Sequence, residues 1–227
     1  MNIDFSILLV AIFLAVCHLV APRAFGARLR FRRESESFAG GMAASAVFLH
    51  MFAELDQTWE LLGDRVHFLV LAGFMMFYGA EGYALRFARQ RHHSFTLRFS
   101  MCMACAGLLG FTLLEQLPGT VGTVIVATIS LGLHTISGSN NLQEMFGDHY
   151  KQYRVPWLLA GATLLGAAIS IAFECNPRAV DLLTALLAGF LLFNIFREEI
   201  PDPSRARFRW FFTGALLVAL VTLITGK

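Results

Sequence analysis

Residues 5–20 read FSILLVAIFLAVCHLV, a run without a single charged side chain. Residues 156–173, PWLLAGATLLGAAISIAF, are equally free of charge. Of the 227 residues in the chain 56% are hydrophobic and 15% are charged, whereas an ordinary soluble domain is about 45–50% apolar and about 25% charged. A helix surrounded by hydrocarbon can be apolar on every side, because no face of it has to meet water. The sequence therefore predicts an integral membrane protein.

Apolar runs of this kind recur about eight times, and a helix needs roughly 20 such residues to cross a bilayer. Several runs are bounded by turn residues such as Pro118-Gly119 and Asn176-Pro177. The predicted fold is all-α, a polytopic bundle of about eight transmembrane helices. No long linker divides the chain, so residues 1–227 are expected to form a single integral membrane domain. The runs are residues 5–20, 38–53, 66–85, 97–114, 120–146, 156–173, 179–196 and 208–224.

The basic residues are distributed unevenly between these runs. Arginine and lysine gather in alternate intervals, and the remaining intervals are acidic or nearly without base. Because cytoplasmic loops carry an excess of Lys and Arg, we expect the basic intervals in the cytoplasm and both termini outside. The basic intervals contain Arg23, Arg28, Arg30, Arg32 and Arg33, then Arg86, Arg89, Arg91 and Arg98, then Lys151 and Arg154, and last Arg197, Arg205, Arg207 and Arg209.

The start of the chain bears on its compartment. The first run follows Asp4, has no basic residues before it and has no small-residue cleavage site near Cys17, which favours a retained span over a signal peptide. We expect a multi-pass protein of a cell membrane, a bacterial inner membrane, with the lipid bilayer as its partner. The expected assembly is a homodimer or a larger membrane complex, and no nucleic-acid partner is expected.

The fifth run carries the densest group of polar residues at membrane depth. His134 lies near its middle, Ser137 and Asn141 share the face of His134, and Asn140 is adjacent. Such side chains must face protein or water, because lipid cannot satisfy them. The group either lines a translocation path or joins helices through hydrogen bonds. The length of the run and Gly138 within it indicate a tilt or a break beside a cavity.

A second candidate site lies in the second run. His50 and Glu54 are four residues apart and hence on one helix face. An imidazole and a carboxylate at this spacing form half of a zinc-type site. The alternative is an interfacial pair whose carboxylate simply reaches water.

The fourth run contains a group of sulfur side chains. Cys102 and Cys105 are three residues apart between methionines, and thiolates suit Cu(I) or Zn(II). Because no histidine or acid lies nearby in that segment, ordinary packing is the favoured interpretation. Glu81, deep in the third run, is interpreted as an isolated acid. The chain has no Gly-rich phosphate loop, nucleophile elbow or zinc-protease motif, so we do not expect an enzyme.

Three of the runs resemble spans of the ZIP family of divalent metal transporters, which have eight spans and both ends outside. Residues 43–54, AASAVFLHMFAE, are similar to the family's run of small residues that ends in His, two apolar residues, Pro and Glu, with Ala53 in place of the Pro. Residues 71–81, LAGFMMFYGAE, resemble its third span, which closes on a Glu. Residues 188–201, AGFLLFNIFREEIP, resemble its seventh span with terminal acids.

The metal motifs of the family are not reproduced in the fourth and fifth runs. Nothing in residues 99–114 matches the family's His-Asn-x-x-Asp-Gly motif. His134 matches the histidine of the fifth span, but Gly138 replaces the glutamate expected four residues later. The resemblance implies a transporter whose substrate is a divalent metal ion, zinc or a similar ion, bound at an altered site. The candidate ligands are His134, Ser137, Asn140, Asn141, His50 and Glu54. The alternative is a non-transporting ZIP-like accessory or structural subunit of a membrane protein complex.

Overall fold

The computed structural model describes residues 3–24, 32–52, 55–56, 59, 63–86, 91–113, 121–173, 176–200 and 206–225. Within these ranges every regular element is helical, which confirms the all-α prediction, and eight α-helices follow the eight predicted runs in order. α2 and α7 each continue into a π-helical turn, Val47–Met51 and Ile195–Glu199. The helices are α1 Ile3–Ala24, α2 Arg32–Ala46, α3 Arg65–Arg86, α4 Arg91–Phe111, α5 Val121–Gln152, α6 Val155–Ala172, α7 Pro177–Asn194 and α8 Phe208–Thr225.

The outer surface of these helices is strongly apolar. Five of the described helices, α1, α3, α4, α6 and α7, are long and apolar enough to cross a membrane, and α8 is apolar over the shorter stretch Phe208–Ile224. Phe68, Leu165, Phe208 and Leu223 all have well over half of their surface exposed. Soluble monomers rarely expose apolar patches larger than a few hundred Å². Length, composition and exposure together identify a multi-pass membrane protein.

Glycines bring three helix pairs into backbone contact. A Cβ on Gly73 of α3 would overlap the carbonyl oxygen of Leu186 in α7, and a Cβ on Gly189 of α7 would overlap that of Val70 in α3. The α2–α8 pair has the same reciprocal contact through Gly41 and Gly214, and the α4–α6 pair through Gly110 and Gly166. Small residues allow this close approach, which increases the van der Waals contact between helices. Such contact matters in a membrane, because the hydrophobic effect does not drive helices together in lipid.

α5 occupies the middle of the bundle. It contacts α1, α2, α4, α6, α8 and the π-helical turn after α7. Against α1 the approach is close, since a Cβ on Gly132 would lie 2.7 Å from the ring of Phe13. The main apolar core lies beside it and draws on α1, α3, α4 and α7 through residues such as Leu14, Phe77, Leu109 and Leu187. Polar residues near the middle of α5, such as His134 and Ser139, are thus enclosed by other helices.

The break predicted in the fifth run is present, but not at the glycine. α5 is helical through Gly138 and is kinked at Phe146, where φ is −131° and ψ is 33°. Phe146 packs in a second apolar cluster against the ring of Phe95 on α4, with centroids 5.5 Å apart. Gly138 lacks a Cβ but keeps helical geometry and lines a cavity. The prediction of a break at Gly138 is therefore wrong in position.

Residues from the basic intervals meet at one end of the bundle, here called the basic end. Glu81 of α3 forms ion pairs with both Arg98 of α4 and Arg197 after α7. Arg207, just before α8, lies 3.8 Å from the carboxylate of Glu34 at the start of α2. Glu81 is therefore not an isolated acid, because two arginines far from it in sequence converge on its carboxylate.

Candidate functional site

A cavity of about 80 Å³ lies between α2, α5 and α7. Most of its wall is apolar and includes Val47, Met51 and Leu191. Three polar side chains also line it: Ser130 and His134 from α5 and Thr184 from α7. Since a cavity needs only about 10–15 Å³ to hold one water, this one has room for several waters or for an ion with part of its hydration shell.

Two hydroxyl groups in this cavity have unused hydrogen-bonding capacity. Ser130 and Thr184 are only 5% and 7% exposed, and neither side-chain oxygen has a hydrogen-bond partner among the described residues. Buried polar atoms in proteins are nearly always satisfied, so both oxygens are expected to contact water or a ligand in the cavity. Asp181, one turn before Thr184 on α7, is 8% exposed and also has one carboxylate oxygen without a partner in the described part of the chain.

His134 is buried and has a histidine neighbour from another helix. His18 of α1 lies beside the same stretch of α5, five residues along the helix from His134. The Nδ1 atom of His18 lies 2.7 Å from the hydroxyl oxygen of Ser139, so α1 and α5 are joined by a buried hydrogen bond. The cavity wall thus holds one imidazole and two hydroxyls, and His18 joins α1 to the adjoining stretch of α5.

The structure separates the residues that the sequence grouped together. His134 lines the cavity, whereas Ser137, Asn140 and Asn141 are half-buried and do not line it. The amide nitrogen of Asn140 donates to the carboxylate of Glu144 on the same helix at 3.1 Å. Ser139, between them, is the deeply buried polar side chain of this segment. A role of the three half-buried residues in binding an ion stays a prediction.

The second predicted group can be placed only in part. His50 belongs to the π-helical turn after α2, but its side chain and all of Glu54 lie outside the described residues. The next residue, Met51, does reach the cavity. In the described ranges no three His, Cys, Asp or Glu side chains come together in a group that would hold a metal ion.

Sequence reasoning missed His18, Ser130, Asp181 and Thr184. For His18 a signal was present, because an ionisable side chain within an otherwise apolar span is by default a functional candidate. The same rule applies to Asp181, which follows Arg178 within one turn and so has the appearance of a helix-end residue. The hydroxyls of Ser130 and Thr184 are common in transmembrane helices and carry no such signal in the sequence.

Comparison with known proteins gives no relative for this chain: no protein-family model, no curated protein and no solved structure matches it.

Proposed function

We propose that this chain is a ZIP-like transporter of a divalent metal cation, and that the cation passes through the cavity beside His134. The observation that carries the proposal is a pair of buried hydroxyls, Ser130 and Thr184, that have no hydrogen-bond partner among the described residues and face the same cavity as His134. Oxygen lone pairs and an imidazole nitrogen are suitable donors for a divalent ion such as zinc. Buried polar side chains within membrane-spanning helices are costly, and they commonly mark substrate or ion pathways.

The arrangement favours transient binding. Ser130 and Thr184 would offer neutral oxygens, which hold a divalent ion less strongly than carboxylates do. His18 of α1 places a second imidazole beside the same stretch of α5, and Asp181 lies one turn before Thr184 on α7. Permeation requires a site that is attractive enough for an ion to enter and weak enough for it to leave. A site with few charged ligands meets that requirement.

Zinc uptake into proteoliposomes tests the proposal through His134→Ala. Mutating a residue that only hydrogen-bonds to a metal ligand already lowers metal affinity about 10–100-fold. Loss of the ligand itself is therefore expected to lower uptake at subsaturating zinc at least tenfold. Thr128→Ala is the matched control, because Thr128 is polar and lies on the same helix but bonds to the Val124 carbonyl and does not line the cavity. Equal uptake by the wild-type chain and His134→Ala, or no uptake above empty liposomes, would contradict transport through this cavity.

The second candidate function is that of a non-transporting subunit of a membrane protein complex. It is favoured by the lack, within the described ranges, of any group of three metal-ligating His, Cys, Asp or Glu side chains. The two functions differ in the same assay. A subunit of this kind gives no zinc uptake when reconstituted alone, and it co-purifies with a defined membrane partner from mild detergent.

The proposal includes eight crossings with the basic end in the cytoplasm. Arg98, Arg197 and Arg207 lie at one end of the bundle, which is the distribution that the positive-inside rule associates with the cytoplasm. Trp59, in an acidic interval, is expected at the opposite, outer side.

Single cysteines at positions 207 and 59, in a chain whose native cysteines are replaced by serine, test this orientation. Cysteine at position 59 should react with a membrane-impermeant maleimide in intact cells, and cysteine at position 207 only after permeabilisation. Labelling of both positions from the same side would refute the eight-span arrangement.

A further inference from the structure

A second, smaller cavity of about 30 Å³ lies nearer the basic end, between α3, α4, α5 and α7. Its wall includes the ion-paired Glu81 and Arg98 and, beside them, three sulfur-containing side chains. Met101 and Cys102 come from α4, and Met145 comes from α5. The sequence places only the first two together, and the packing of α5 on α4 adds the third.

We propose that Cys102, Met101 and Met145 form a binding site for a soft monovalent metal ion, Cu(I) or its analogue Ag(I). Thiolate and thioether sulfurs are soft ligands that select Cu(I) over hard cations. The site is distinct from the cavity at His134, and the inference does not depend on the proposed transport of a divalent cation.

The charges around this cavity suit a monovalent ion. Arg98 and Arg197 together carry two positive charges against the single carboxylate of Glu81. Arg98 lies one helical turn before Cys102 on the same face of α4, and both side chains line the cavity. On binding, the S–H bond of Cys102 breaks, a sulfur–metal bond forms, and the proton passes to water at the basic end. The positive charge of the metal ion replaces that of the released proton, so the net charge of the cavity does not change.

The methionines complete the coordination without further proton release. Each thioether sulfur donates a lone pair to the metal and keeps its own neutral charge. One lone pair of the Met145 sulfur accepts a hydrogen bond from Nη1 of Arg98 at 3.0 Å, which leaves the other free to bind the ion. This hydrogen bond also fixes the position of the sulfur at the cavity wall.

The cavity is small. Its volume of about 30 Å³ is only two or three times the roughly 10–15 Å³ that one water needs. An ion in this space is therefore held mainly by the side chains of the wall, and sulfur ligands suit a monovalent ion without a hydration shell. A divalent ion would also bring an additional positive charge next to two arginines.

The same helix provides matched controls for packing. Cys105 belongs to the main apolar core, and Met103 packs against the second apolar cluster. Neither lines the small cavity. If sulfur side chains on α4 merely fill space, replacing these two should have the same effect on metal binding as replacing Cys102 and Met145.

The experiment is anaerobic titration of the purified full-length protein with Cu(I) in competition with a chromogenic Cu(I) chelator. One Cu(I) per chain is expected. Cys102→Ser should weaken binding by more than about 100-fold and Met145→Leu by about tenfold, because losing a direct ligand costs at least as much as losing a residue that supports a ligand, which costs about 10–100-fold. Cys105→Ser and Met103→Leu should bind as the unaltered protein does.

Alkylation of the otherwise unaltered protein gives a second readout that does not depend on any variant folding. One equivalent of Ag(I) should slow the reaction of Cys102 with maleimide, measured by mass spectrometry of the labelled peptide, and leave the labelling of Cys105 unchanged. Tight Cu(I) binding by Cys102→Ser, an equal loss of binding in Cys105→Ser, or no protection of Cys102 by Ag(I) would overturn the proposal.

Discussion

Gly73→Leu is expected to lower the melting temperature of the detergent-solubilised protein by about 6–12 °C. A side chain at position 73 meets the backbone carbonyl of Leu186, which cannot rotate away, so α3 and α7 have to separate. Separation also weakens the ring contact between Phe77 and Phe190, whose centroids are 4.8 Å apart. Overpacking of this kind costs about 3 kcal/mol, and each kcal/mol corresponds to about 2–4 °C for a chain of this size.

Gly79→Leu is the matched control, because Gly79 lies on the same helix and a Cβ there meets nothing within 4 Å. Its effect on stability should stay within about 0.5 kcal/mol. Thermal unfolding followed by circular dichroism or by a thiol-reactive dye measures both variants. If Gly73→Leu and Gly79→Leu melt at the same temperature, α3 and α7 do not pack through Gly73 and Gly189.

Glu81→Leu should destabilise the protein by about 3–5 kcal/mol, the usual consequence of removing one partner from a buried ion pair. The side chains of Glu81 and Arg98 are both 11% exposed, so the variant leaves the Arg98 guanidinium buried with its principal counter-charge removed. Arg197 is 35% exposed and can reach water, and therefore adds less to the loss. The measurement is the midpoint of denaturant-induced unfolding, which should be lower in the variant. The N-terminal end of α4 should also no longer be held against α3 by the ion pair.

The double variant Glu81→Leu/Arg98→Leu distinguishes a charge effect from a packing effect. Removing both charges should recover most of the stability, since a well-packed apolar pair can replace a buried ion pair at little cost. Glu34→Ala removes the more exposed ion pair at the same end, and its long contact with the exposed Arg207 should contribute no more than about 1 kcal/mol. A double variant as unstable as Glu81→Leu would show that the carboxylate does not act through Arg98.

The sequence by itself determined the helical class, the order of the eight helices and the apolar surface that suits a membrane. These properties are local, because each depends on a run of some 20 residues and on the charges that flank it. The position of His134 at the middle of α5 was determined in the same way. The sequence did not show which of the neighbouring polar residues connects α5 to another helix. Asn140, a candidate ligand, bonds within its own helix, whereas Ser139 bonds to His18 on α1.

Only the tertiary structure decided which helices pair and which polar groups meet. In a helix that is apolar on all sides, hydrophobic periodicity does not reveal the face that turns inward. That face is chosen by backbone contacts at Gly73, Gly110 and Gly214, which set the rotation of each helix against its partner. The rotation in turn brings His18 to Ser139 and both arginines to Glu81. Partners distant in sequence become neighbours through packing, and no local pattern in the sequence records that packing.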